Sequence, residues 1–346
     1  MSVPGTRVKG PIADLTYRNY EGGLNPPAAR WWAIARMGIR QTLRKRGFWW
    51  WSVASGYWYL VLMAIFYFVD TLGGQQLSPN GKNPVIEAIK WKDQFVHGYS
   101  FAQLLFFILA LLTATGTIAA DNRANALLVY LSKPCTKLDY VIGKWMGVFV
   151  PLSVVAFVPM GLFWLYGALS FREYGFITTD PLMLPKLAVV AMSGAALHAS
   201  LALAVSSMFN QPRIAGATYA GIYFLSNFFT KAMQVSHALY VNDGSTVPTW
   251  IDRFFYASID GMNIAMAKLI LGTSGSPLFQ NGFAGGVRTA SKGARGTARA
   301  SLGGGPRASD FLIPSPPLEI FLPIFLLLVV GGAWYAWSRV RAVEVV

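Results

Sequence analysis

Charge is what this sequence has least of. Only 13% of its 346 residues are Asp, Glu, Lys or Arg, about half the roughly 25% of an ordinary soluble domain. Acids are the scarcer sign, 15 against 29 bases, for a formal net charge of +14. Cys135 is the only cysteine, so no disulfide can close within the chain and no redox compartment can be read. The three histidines, His97, His198 and His237, are too scattered for a helical zinc motif such as H-E-x-x-H. A P-loop is absent too. It needs G-x-x-x-x-G-K and then Ser or Thr, so that backbone amides cradle phosphates. The Gly81-Lys82 and Gly143-Lys144 pairs lack the earlier glycine and are followed by Asn83 and Trp145. If ATP powers this chain, another chain hydrolyses it.

Apolar residues are abundant, 54% of the total, and they come in blocks. Six blocks reach the roughly 20 helical residues needed to cross a hydrocarbon core: about 48–69, 101–120, 145–170, 187–209, 213–235 and 318–337. Trp and Tyr gather near their ends, as interfacial anchors do. The expected fold is an all-α polytopic membrane protein with six transmembrane helices. Only Asn210 to Arg213 join the fourth and fifth blocks, which makes those two an antiparallel hairpin. Because the basic residues flank the spans, the positive charge is explained by topology and anionic lipid, with no nucleic acid expected.

Lys and Arg set the orientation. The stretches before the first span, between the second and third, between the fourth and fifth, and after the last hold sixteen; the two short loops opposite hold five. Counting short loops and discounting long ones places both termini in the cytoplasm. Residues 1–29, polar with scattered Pro and Gly and with no cleavable signal peptide, read as a flexible cytoplasmic N-terminus, and 338–346 as a cytoplasmic tail. The long loop 236–317 is then external. Within it, 284–309 is Gly/Ala/Ser-rich, has five basic residues and no acid, and reads as disordered. The segment 254–272 holds Asp260, Asn263 and Lys268, each expensive at bilayer depth. It is expected to be an interfacial or re-entrant helix rather than a seventh span.

Residues 30–46, "RWWAIARMGIRQTLRKR", sort at about 100° per residue. Arg36, Arg40 and Arg44 line one face, and Trp31, Ile34, Ala35, Gly38, Ile39 and Thr42 the opposite arc. This predicts an amphipathic helix in the cytoplasmic interface, arginines toward lipid phosphates and Trp31 and Trp32 among acyl chains. No span interior carries Asp or Glu, where ion-driven carriers usually place a carboxylate. His198 lies mid-span among small residues. The plain reading is a neutral histidine hydrogen-bonded between closely packed helices; the sharper one puts it on a translocation path with Asn227 and Lys231 of the aromatic-rich fifth span. Lys231, near the outer end, can snorkel.

Residues 116–150, "GTIAADNRANALLVYLSKPCTKLDYVIGKWMGVFV", resemble the first cytoplasmic loop of ABC-2-type transporter permeases, the transmembrane subunits of a class of ABC transporters. In that family a span ends in a polar, usually acidic cluster, matched here by Asp121, Asn122 and Arg123. A leucine-rich helix follows, matched by Leu127, Leu128 and Leu131, then a proline, Pro134, and a hydroxyl and basic pair, Thr136 and Lys137. Beyond Tyr140, Gly143 and Lys144 match the Gly-Lys pair that opens the next span. The chain departs at Asn122, where the family carries glutamate; Asp121 is the nearest substitute.

The resemblance implies a cytoplasmic coupling helix in this loop, seated on an ABC ATP-binding subunit as an apolar helix in a groove. It also implies a second permease copy or homologue as dimer partner and ATP-Mg in the partner subunit, with no cofactor in this chain. The chain itself is then a non-catalytic permease subunit, a multi-pass protein of a bacterial or archaeal inner (plasma) membrane. The resemblance further implies export of an amphipathic or apolar substrate. A self-contained channel or secondary transporter, or a membrane anchor for a partner complex, are the alternatives.

Overall fold

The computed structural model describes residues 30–73, 83–87, 89–126, 135–275 and 313–340. The segment 284–309, both chain ends, and the loop residues Leu127, Leu128, Leu131 and Pro134 lie outside the described residues. Helices in chain order are α1 (Arg30–Leu43), α2 (Arg46–Ser55), α3 (Tyr57–Gly73), α4 (Pro84–Glu87), α5 (Trp91–Ala114), α6 (Thr117–Arg123) and α7 (Lys137–Ser170). After a 3-10 turn at Arg172–Tyr174 come α8 (Phe176–Thr179), α9 (Met183–Met208), α10 (Pro212–Asn242), α11 (Thr249–Phe255), α12 (Ile259–Leu271) and α13 (Leu318–Arg339). No strand occurs among the described residues.

Among the described residues, five helical stretches are by themselves long and apolar enough to cross a membrane: Arg46–Thr71, Trp91–Arg123, Lys137–Ser170, Met183–Met208 and Leu318–Arg339. Several outrun the apolar blocks of the sequence. The 34 residues of α7 span about 51 Å at 1.5 Å each, against a hydrocarbon core of about 30 Å. Helix continues into the headgroup layer, where hydropathy no longer marks it. The local signals are physical ones. Thr136 and Asp139 form a reciprocal capping box that starts α7, and Pro212 opens α10, where its missing N–H costs nothing. At the break between α5 and α6, the first amides of α6, Ile118 and Ala119, donate to Ser206 Oγ of α9 at 3.2 and 3.0 Å. A neighbouring helix thus satisfies orphan N–H groups that lipid could not.

The contacts fix relative directions. Asp121 of α6 meets Lys144 of α7, and Trp91 at the start of α5 packs on Phe171 just past the end of α7. A Cβ on Gly116 would touch Pro212 at 3.6 Å, so α10 starts where α5 ends. The 31-residue α10, more polar than the five, therefore traverses the bundle antiparallel to α5. α13 runs parallel to α9, with Gly332 against Ser200.

The 254–272 region forms a sharply bent pair, α11 and α12 meeting at 102°. α11 descends along α10: His237 pairs with Asp252, Thr230 Oγ1 donates to Phe255 O at 3.2 Å, and Tyr223 to Asp260. α12 climbs back along α5. Asn263 donates to Gln103 Oε1, and at the start of α5 Thr273 donates to Asp93. Entry and exit lie at the same end of the bundle, so the pair is a re-entrant hairpin. Asp260 and Asn263 reach its interior because α10, α5 and α9 supply partners there. The same end is braced by Asp180, which pairs with Lys186 at 2.7 Å and Lys92 at 2.9 Å. The Lys186 ammonium, with Lys92, holds the Asp180 carboxyl below its ordinary 3.8.

Candidate functional site

Three of the loop residues singled out in the sequence converge at the opposite end. Asp121 Oδ2 accepts from Tyr140 OH at 2.7 Å and pairs with Lys144 Nζ at 2.7 Å. Lys144 also reaches Thr117 O at 3.5 Å and lies 5.6 Å from the centre of the Tyr140 ring. The Asp121 and Lys144 side chains are 17% and 13% exposed, too sheltered for the near-zero worth of a surface pair yet wet enough to avoid full desolvation. The last turn of α6 is thereby locked to the first turns of α7.

Gly143 does a different job from its lysine neighbour. A Cβ there would lie 2.6 Å from Ile34 Cβ and 2.8 Å from Trp31 O, so only glycine lets α1 lie on α7. One turn on, Gly38 and Gly147 face each other; a Cβ on Gly38 would stand 3.2 Å from Gly147 Cα. The Gly-Lys pair is thus two devices in sequence: a seat for α1 and an ion pair to α6.

This seat corrects the expectation for α1. Its apolar arc, with Ala35 and Thr42 buried, is covered by α7 rather than by acyl chains. The reason is the facing glycines, which bring the two backbones closer than lipid packing would. The opposite face stays open. Trp32, Arg36, Arg40 and Arg44, with Ala33, Met37 and Gln41, line a shallow groove on the protein surface.

The remaining loop residues divide. Thr136 serves as N-cap, and Lys137 is exposed in the first turn of α7. Asn122 Nδ2 reaches Phe209 O at 3.4 Å, and Asn122 and Arg123 line a polar cleft with Asn125, Asn210, Gln211 and Arg213. Leu138 and Ile142, four apart, point outward, while Tyr140 and Val141 are buried.

His198 is fully buried in a polar layer toward the other end. Its Nδ1 lies 2.8 Å from Tyr219 OH and its Nε2 3.2 Å from Asn263 Nδ2. Asn263 Nδ2 also donates to Gln103 Oε1 at 2.9 Å, so Nε2 is the acceptor and Nδ1 carries the proton. Tyr223, stacked on Phe107 at 3.7 Å, donates to Asp260. Asn227 lies near Asp260 as well, and Lys231 contributes charge nearby; Lys231 itself is exposed and donates to Gln234. His198, Asn227 and Lys231 are therefore neighbours of one hairpin, His198 through Asn263 and the other two near Asp260. Tyr99 OH, Asn263 Oδ1 and Asp260 Oδ1 are buried with no protein partner among the described residues. The sequence marks Asp260 and Asn263 only as too polar for a span and carries no signal for Tyr99, Gln103 or Tyr219. Among the described residues no three His, Cys, Asp or Glu side chains are placed to hold a metal.

Comparison with curated proteins finds no match. A family model described as "ABC-2 family transporter protein" matches residues 32–285, from α1 through the re-entrant hairpin, well over half of the chain. The helical bundle with its locked α6–α7 joint thus has a family: the chain belongs to the ABC-2 family of transporter proteins and is a multi-pass transmembrane permease of an ABC transporter.

Proposed function

We propose that this permease takes its power stroke through the 121–144 loop. A separate ATP-binding subunit, holding ATP-Mg, docks on the leucine-rich segment Leu127–Leu128–Leu131 ahead of Pro134. Its closure moves the attached ends of α6 and α7. The observation that carries this is the Asp121–Tyr140–Lys144 joint. It ties two successive crossings to one another, and Gly143 ties them to α1, so a push on the loop is delivered to three helices instead of bending one.

The cargo is amphipathic or apolar and moves outward, with both chain termini in the cytoplasm of a bacterial or archaeal inner membrane. Supporting an apolar cargo is the outward wall of α10, which presents Phe224, Leu225 and Phe228. A second permease copy or homologue would close a path against it. The test is ATP hydrolysis by the reconstituted complex. Lys144→Ala is expected to leave the ATPase bound but to lower permease-dependent hydrolysis about tenfold, as loss of a 1–2 kcal/mol coupling term would. Unchanged hydrolysis in a folded Lys144→Ala complex would refute the joint as the transmission point.

A further inference from the structure

Between α2–α3 and α7 runs a groove of about 300 Å³ that the coupling reading does not use. One wall is Trp49, Val53 and Leu60; the other is Val154, Val158 and Leu162, a stripe at i, i+4, i+8 along α7. Gly56, the turn residue between α2 and α3, lies on its floor. A Cβ there would stand 3.1 Å from Pro159 Cγ, so the glycine and proline close the floor while the flanking walls stand apart. Its three polar side-chain groups are all spent: Trp49 Nε1 donates to Leu43 O at 2.9 Å, Ser52 Oγ to Phe48 O at 2.7 Å and Tyr59 OH to Phe95 O at 2.9 Å. Nothing inside is left to bind a polar cargo, and hydrocarbon is what fits.

The mouth has the opposite character. Arg46, Trp49 and Val53 fall at i, i+3 and i+7 of α2, one stripe of that helix, so Arg46 lies on the groove's side of α2, one turn before Trp49. It is exposed and makes no ion pair among the described residues. No carboxylate occurs between Arg30 and Val69, although six Lys and Arg do. From Val154 to Leu162 is eight residues, about 12 Å of helix, close to the roughly 15 Å hydrocarbon depth of one leaflet. A cation at headgroup level over an apolar slot one leaflet deep has the shape and charge of one molecule class.

We infer that this groove is a binding site for an anionic phospholipid of the surrounding membrane, one acyl chain lying between α2–α3 and α7 and the headgroup phosphate on Arg46. The inference does not depend on ATPase docking and fails separately from it.

Native mass spectrometry of the full-length protein tests it, titrating phosphatidylglycerol against phosphatidylcholine of the same acyl chains. Phosphatidylglycerol is expected to bind about fivefold more tightly, the effect of one interfacial cation. Arg46→Gln should bring the two lipids level, while Arg253→Gln, exposed on α11 at the other end of the bundle, leaves the preference intact. Val158→Trp, which fills the slot, should weaken both lipids. Because that variant can also misfold, a photo-crosslinking residue at Val158 in otherwise native protein gives a second readout in whole membranes. A phospholipid adduct supports the site. Capture of a second copy of the chain, equal affinity for the two lipids, or a preference that survives Arg46→Gln would overturn it.

Discussion

Lys144 and Asp121 meet at 2.7 Å with little solvent around either, and this geometry makes their loss unequal. Removing the lysine leaves a sheltered carboxylate held by Tyr140 alone, while removing the carboxylate leaves a long cation that can snorkel to the headgroups. Lys144→Ala is therefore expected to melt at a lower temperature than the double variant Lys144→Ala/Asp121→Asn. A double variant that is the less stable of the two would show that the pair contributes no sheltered charge. Gly143 gives a steric prediction in the same joint. Gly143→Leu forces α1 away from α7, since even a Cβ lies 2.6 Å from Ile34 Cβ. Overpacking of this kind costs about 1–3 kcal/mol, and protease access to α1 in detergent reads it. Much of this joint was legible in the sequence, because Asp121, Tyr140, Gly143 and Lys144 lie within one short stretch. What spacing could not reveal was that the glycine serves α1 and the lysine serves α6.

At the scale of the element, the re-entrant hairpin was half legible. Asp260, Asn263 and Lys268 argued against a seventh span, and the bent pair enters and leaves at one end of the bundle. Where those side chains go was not legible. Asn263 meets Gln103, 160 positions away in sequence, and Lys268 Nζ donates to Ile313 O at 2.6 Å. A hydropathy window scores each polar residue against lipid, so it cannot tell one that finds a distant partner from one that does not. With Cys135→Ser as background, cysteines at Ser245 and Ser274, before and after the hairpin, are expected to react with an impermeant reagent from the same side of intact cells. Labelling from opposite sides would make the pair a broken span. The ion pairs at that end carry a pH dependence. Asp180 has a depressed carboxyl, so its stabilisation is present above the ordinary carboxylate range. It is lost as pH falls through the lower folded value, when the proton displaces Lys186 and Lys92. Asp180→Asn should therefore flatten the acid limb of a thermal-stability profile below about pH 4. An unchanged limb would assign acid sensitivity to other carboxylates.

For the whole molecule, the two ends of the bundle divide the labour. One end carries the α1–α6–α7 joint and the loop that runs on to Leu127 and Pro134; the other carries the hairpin and the Asp180 brace, with the polar layer around His198 between them. A permease of this family works with an ABC ATP-binding subunit, and the proposed seat for that subunit is the loop. The most direct measurement is co-purification of the chain with its P-loop ATPase, comparing the native protein with Leu127→Asp/Leu131→Asp. The native chain is expected to bring the ATPase with it, and the variant, folded and inserted to the same level, to lose it. If the variant retains the ATPase in full, or the native chain never binds one, this loop is not where the transporter is driven.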